Sequence, residues 1–116
     1  MLYIGCAGWS IPRQFTSEFP VVGSHLERYA RVLSCSEINS SFHRPHRPVT
    51  WERWADTVPA TFRFAVKAPK AITHEHSLQC SATDLTGFFE KALLLREKLG
   101  PVLFQTPPKL ELVNTK

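Results

Sequence analysis

The chain alternates short apolar runs with longer segments whose apolar residues recur at helical spacing, and this rhythm constrains the fold more than any single motif. The runs are 2–7, 35–42, 62–68 and 102–106, each bounded by glycine, proline or polar turn residues. Between the first two, Ser24 with Glu27 three residues on forms a capping box. Leu26, Tyr29, Ala30 and Leu33 then follow the i, i+3, i+4, i+7 pattern of a helix with one buried face. Thr50 is expected to cap a second helix carrying Trp51, Trp54, Ala55 and Val58, ended by Pro59. A third is expected over 83–99, with Leu85, Phe88, Phe89, Ala92, Leu95 and Leu99 on one stripe and Gly100-Pro101 stopping it. The order β-α-β-α-β-α-β argues a parallel sheet with helical crossovers. Strands begin near 2, 35, 62 and 101, an average unit of about 33 residues. Eight such units make roughly 260 residues, close to a complete (β/α)8 barrel, and this chain holds about half of one. An open four-stranded α/β sheet is the alternative, but Gly5 and Gly8 alone do not make a dinucleotide-binding fingerprint.

With 116 residues the chain is expected to be a single domain, 1–116, with no internal linker. A hydrophobic fraction of 43% against 21% charged residues excludes a disordered or collagen-like chain. No apolar stretch is long enough to span a membrane and no signal-peptide pattern opens the chain, so a cytoplasmic protein without membrane partners is expected. Three widely spaced cysteines, Cys6, Cys35 and Cys80, read as reduced thiols rather than a disulfide framework.

Side-chain alternation along the second strand groups Cys35, Glu37 and Asn39 on one face; along the third it opposes Arg63, Ala65 and Lys67 to Phe62, Phe64 and Val66. The phenylalanine face is the seat for helices, which leaves Lys67, and with it Glu37, toward the barrel axis near the C-terminal strand ends where barrel enzymes keep their chemistry. Glu37 is a candidate general acid or base and Lys67 a candidate stabiliser; a structural ion pair inside the barrel is the competing reading. Basic residues gather in the segments after the strands: Arg13, Arg44, Arg47, Lys70 and Lys109. Together with a formal charge of +4 they suggest an anion-binding mouth; plain surface polarity of loops competes. His43, His46, His74 and His76 fall in the same zone, but without an HExxH or paired CxxC motif no metal or other cofactor is expected. Trp9 is placed either to stack on a base or sugar ring or to cap the core.

The strings GCAGWS, EINSSFHR, FRFAVKAPKAITH and GPVLFQTPP, in this order, resemble the domain of unknown function 72 (YecE-like) family from residue 3 to about 108. The resemblance implies a TIM-barrel fold and a family without a settled activity. It implies pocket-lining roles for Gly8, Trp9, Glu37, Asn39, Ser40, Phe42, Lys67, Pro69, Thr73, His74, Gln105, Pro107 and Pro108, with His74 a second proton carrier or ligand orienter. His43 stands where the family commonly has tyrosine. The chain corresponds to the N-terminal half of such a barrel, so open strand edges are expected, covered by a second copy of the chain or by a C-terminal half-barrel. Ligand-binding candidates are thus Trp9, Asn39, Arg44, Arg47, Lys70 and Gln105. The leading function is binding of a phosphate-containing or nucleic-acid anion at the C-terminal face of the strands, with Glu37, Lys67 and His74 as candidate catalytic groups. A non-catalytic nucleic-acid-binding module and an inactive remnant are the alternatives.

Overall fold

A computed structural model describes residues 2–75 and 82–106, with side chains described for all of these except His74 and Glu75. Four parallel strands, β1 (Gly5–Ala7), β2 (Cys35–Ile38), β3 (Arg63–Lys67) and β4 (Leu99–Leu103), pair in the order β1-β2-β3-β4. Helices α1 (His25–Ala30), α2 (Pro48–Thr57) and α3 (Ala82–Ala92) connect them. The fold class is therefore α/β, a parallel β/α repeat of TIM-barrel type extending over four strands. No helix among the described residues is long and apolar enough to cross a membrane.

The core lies on one face of the sheet. Phe62, Phe64, Val66 and Ala68 present that face from β3 and its flanks, and Ile38 presents it from β2. Against them pack Leu26 and Tyr29 of α1, Trp51 and Ala55 of α2, and Phe88 and Ala92 of α3. Cys35, Glu37, Arg63, Ala65 and Lys67, on the opposite face, are only half-buried. This alternation is the one expected from period-two patterning.

Local chemistry sets the helix boundaries. Both bonds of the Ser24–Glu27 capping box form: Glu27 N–H donates to Ser24 Oγ and Ser24 N–H to the Glu27 carboxylate, each at 3.2 Å. Those bonds to Ser24 hold the Glu27 pKa below its usual value. The second helix starts before the expected Thr50 cap. Pro48 occupies its first turn, where a missing N–H costs nothing and a fixed φ is already helical, and Arg47 precedes it. The third helix stops at Ala92; 93–98 continues in tighter turns, broken at Arg96, whose φ of 58° is unusual for a residue with a Cβ. Arg96 pairs with Asp56 at 2.7 Å, while buried Lys98 donates from Nζ to the carbonyls of Ala55 and Val58 at the end of α2.

Gly100 and Pro101 lie inside β4 rather than ending a helix. Phe64 pairs with Leu99 and Val66 with Val102, so Gly100 and Pro101 together oppose the single residue Ala65 as a β-bulge. The sequence suits the site: proline has no ladder N–H to lose, and a Cβ on Gly100 would come within 2.9 Å of the Phe64 carbonyl oxygen. The second strand ends at Ile38, before the expected Phe42, because the chain turns at Ser40–Phe42.

Candidate functional site

Beyond the C-terminal ends of β2 and β3 the chain forms a cavity of about 380 Å³. Its walls come from three places: residues 41–46 after β2, residues 69–72 after β3, and Thr83, Asp84, Gly87, Phe88 and Lys91 of α3; Trp51 of α2 also lines it. The turn after β2 is pinned to the sheet by buried Ser41, whose Oγ donates to the Lys67 carbonyl at 2.8 Å. Ser40 Oγ is hydrogen-bonded to His46 Nε2 at 2.8 Å. The His46 ring packs edge-on to Trp51 and Trp54, at centroid distances of 6.1 and 5.1 Å.

Two of the five basic residues singled out in the sequence, Arg44 and Lys70, meet in this lining, and Lys91 joins them from α3. Their field is visible on His46: burial first, then the charges of Arg44 and Lys91, push its pKa below the ordinary imidazole value. Cations therefore crowd this wall, with Asp84 the one carboxylate in the lining among the described residues. Aromatic and aliphatic groups form the deeper part: Trp51, Ile72 and Phe88 are almost completely buried. The Trp51 indole N–H is itself buried without a hydrogen-bond partner among the described residues.

The remaining sequence candidates are dispersed. Glu37 and Lys67 do lie on the axial face, but Glu37 is level with Ala7 and Ala65, one pleat short of Lys67, and no ion pair joins them. Lys67 instead places its ammonium 4.1 Å from the centroid of the Phe42 ring, a cation–π contact with a ring that also lines the cavity. Trp9 is half-buried, edge-on to Trp54 at 5.3 Å and to Phe64 at 5.9 Å, which puts its ring in the layer between sheet and α2. Asn39 is exposed, its carbonyl accepting the Phe42 N–H. Arg47 is exposed just ahead of α2 and outside the lining, and Gln105 is exposed two residues past β4. The backbone of His74 belongs to a helical turn, Ala71–Glu75, but its side chain lies outside the described part, as do His76, Cys80, Pro107, Pro108 and Lys109. Among the described residues no group of three or more His, Cys, Asp or Glu side chains comes together as a metal site.

Lys91, Asp84 and Gly87 went unnoticed in the sequence. They sit about 40 residues beyond the HRPH loop they face, and only the packing of α3 beside α2 brings them there.

Comparison with known proteins gives a consistent picture. The model of the family described as "Protein of unknown function DUF72" matches residues 3–115. The UPF0759 protein YecE of Escherichia coli K12 is 30% identical over 107 residues, covering 92% of this chain and 38% of that protein. The UPF0759 protein YunF of Bacillus subtilis 168 is 29% identical over 114 residues, covering 93% of this chain and 40% of that protein. Two crystal structures of a DUF72 family protein from Enterococcus faecalis V583 superpose with TM-scores of 0.80 and 0.72 at 23% identity, over 98% of this chain and 42–43% of theirs. The chain thus spans about two fifths of the length of the relatives it matches.

Proposed function

The chain belongs to the DUF72 family of proteins of unknown function, and we propose that its role is to bind a phosphate-containing anion in the cavity between α2 and α3. One observation carries this reading: Arg44, Lys70 and Lys91 come from three separate segments to one concave, partly apolar site, where an anion can meet several charged donors at once. Scattered surface polarity predicts no such convergence. The second proposal, acid–base chemistry by Glu37 with Lys67, belongs to the axial face. Barrel chemistry draws on the ends of several strands around the ring, so turnover on this reading needs groups from beyond these four strands.

The experiment is calorimetric titration of the purified chain with inorganic phosphate at low salt. The double variant Arg44→Ser/Lys70→Ser should lose at least about tenfold in affinity, the loss of roughly one charge-assisted hydrogen bond. Arg47→Ser, outside the lining, should bind like the parent. Equal affinity in the double variant and the parent overturns the proposal.

A further inference from the structure

The cavity is two-sided in its chemistry, and a bare anion uses only one side. Its basic groups Arg44 and Lys70 are exposed and Lys91 is half-buried, whereas Trp51, Phe88 and Ile72 are buried at 2%, 7% and 3% exposure. Inorganic phosphate is strongly hydrated and gains nothing from aromatic surface. A ligand that joins the anion to an apolar ring takes its own ring out of water as well, at roughly 25 cal/mol for each Å². The volume, about 380 Å³, falls within the range of small-molecule sites rather than single-ion sites.

Gly87 gives an independent reason. It lies in the interior of α3, where glycine costs about 1 kcal/mol relative to alanine. No described neighbour requires it: a Cβ built there meets no described atom within 4 Å, and its backbone has no positive φ. What glycine does at this position is leave the wall of the cavity open. The Trp51 indole N–H adds a third observation, a buried donor without an acceptor among the described residues, in a ring that belongs to the same wall. An unsatisfied donor of this kind costs about 1–3 kcal/mol, and a heterocycle carries acceptors that a phosphate on the rim does not bring to it.

Resting on the anion-binding reading above, we propose that the cavity takes a phosphate monoester carried on a planar aromatic body, of nucleoside monophosphate size, in preference to the free anion. The phosphate meets Arg44, Lys70 and Lys91, and the ring lies along Phe88 and Trp51 beside the gap left by Gly87.

Calorimetry on the 116-residue chain with three probes, inorganic phosphate, adenosine 5′-monophosphate and adenosine, tests the proposal. The monophosphate should bind at least tenfold more tightly than either half alone. Gly87→Leu should remove that advantage, weakening monophosphate binding by a larger factor than inorganic phosphate binding, and Gly87→Ala should remove only part of it. Both substitutions raise helix propensity, and circular dichroism checks that the helical content is retained. Equal affinity for phosphate and monophosphate overturns the aromatic preference while the anion site stands. No binding of either overturns both readings. A single-stranded oligonucleotide that binds tightly and is indifferent to Gly87→Leu overturns the proposal in favour of a surface site.

Discussion

The third and first strands share one sheet and are held by different forces. β3 has a neighbour on each side and sits under the helices, with Phe62, Phe64, Val66 and Ala68 at 1% exposure or less. β1 is an edge strand of three exposed residues, preceded by Leu2, Tyr3 and Ile4 at 77%, 40% and 57% exposure. Polar side chains reach out to hold it. The Tyr29 hydroxyl of α1 accepts the Cys6 N–H at 2.9 Å and donates to the Cys35 carbonyl at 2.8 Å, bridging β1 and β2. Ser36 Oγ is within donor range of the Cys6 and Gly8 carbonyls at 3.0 and 2.6 Å, and Ser34 Oγ accepts from the Ile4 N–H. Gly5 permits the closeness: a Cβ there would overlap the Cys35 carbonyl oxygen, 1.8 Å away. A central strand can rely on area buried, whereas an edge strand with little to bury depends on directional bonds.

Breaking each kind of support should give effects of different size and reach. Phe64→Ala removes a fully buried ring from the centre of the core and should cost about 3–5 kcal/mol, read as a fall in the denaturation midpoint for the whole molecule. A loss below about 1 kcal/mol would mean that burial along β3 does not hold the core together. Tyr29→Phe keeps the ring and deletes both bridging bonds, so about 1–3 kcal/mol is expected. Native-state hydrogen exchange should then show the Cys6 amide losing more protection than those of β3. Alkali tests the same bridge without mutation. Burial first, then its bond with Cys6, pushes the Tyr29 pKa up to about 12, above its usual 10.0, so its contribution is complete below about pH 10 and is lost as pH rises toward 12. Tyrosinate absorbance should show one phenol titrating late, together with loss of β1 protection.

The smallest effect expected is that of Ser24→Ala, about 1 kcal/mol from a helix that packs beneath β1 and β2. Glu27 sharpens this further. Its pKa is depressed when folded, so its contribution is present above the usual carboxylate range and fades as pH falls through the folded value. Ser24→Ala should therefore flatten the acid limb of the stability profile.

The same contrast explains what could be read from sequence. The second and third strands, with alternating apolar residues, were legible, and so was the Ser24–Glu27 box, whose two partners are three residues apart. The start of α2 was misplaced although Pro48 carries the signal, because a threonine just before the apolar stripe looks like a cap. The third helix was carried too far: Leu95 is buried and keeps the stripe in phase, while the turn in backbone direction falls on an arginine, a residue that gives no warning of positive φ. At the site, Arg44 and Lys70 were legible because each lies in the segment that follows a strand. Glu37 and Lys67 were placed on the right face but not at the same height, since alternation fixes the side of a sheet and says nothing of register between strands. The apolar wall from α3 was not legible, since packing between elements distant in sequence creates it.

The bulge in β4 changes how side chains must be counted along that strand. Leu99 and Val102 are an odd number of residues apart and still both pack against the helix layer, because the Gly100–Pro101 pair absorbs one step. Every position after it is therefore out of phase with every position before it. Straightening the bulge with both residues kept would exchange the faces of Val102 and Leu103 and turn the chain leaving the sheet inside out, whereas loss of one of the two would leave a regular strand with Val102 still on the helix side. The bulged conformation of this two-residue segment, favoured by a glycine and a proline, is what keeps the fourth strand's exit in step with the third.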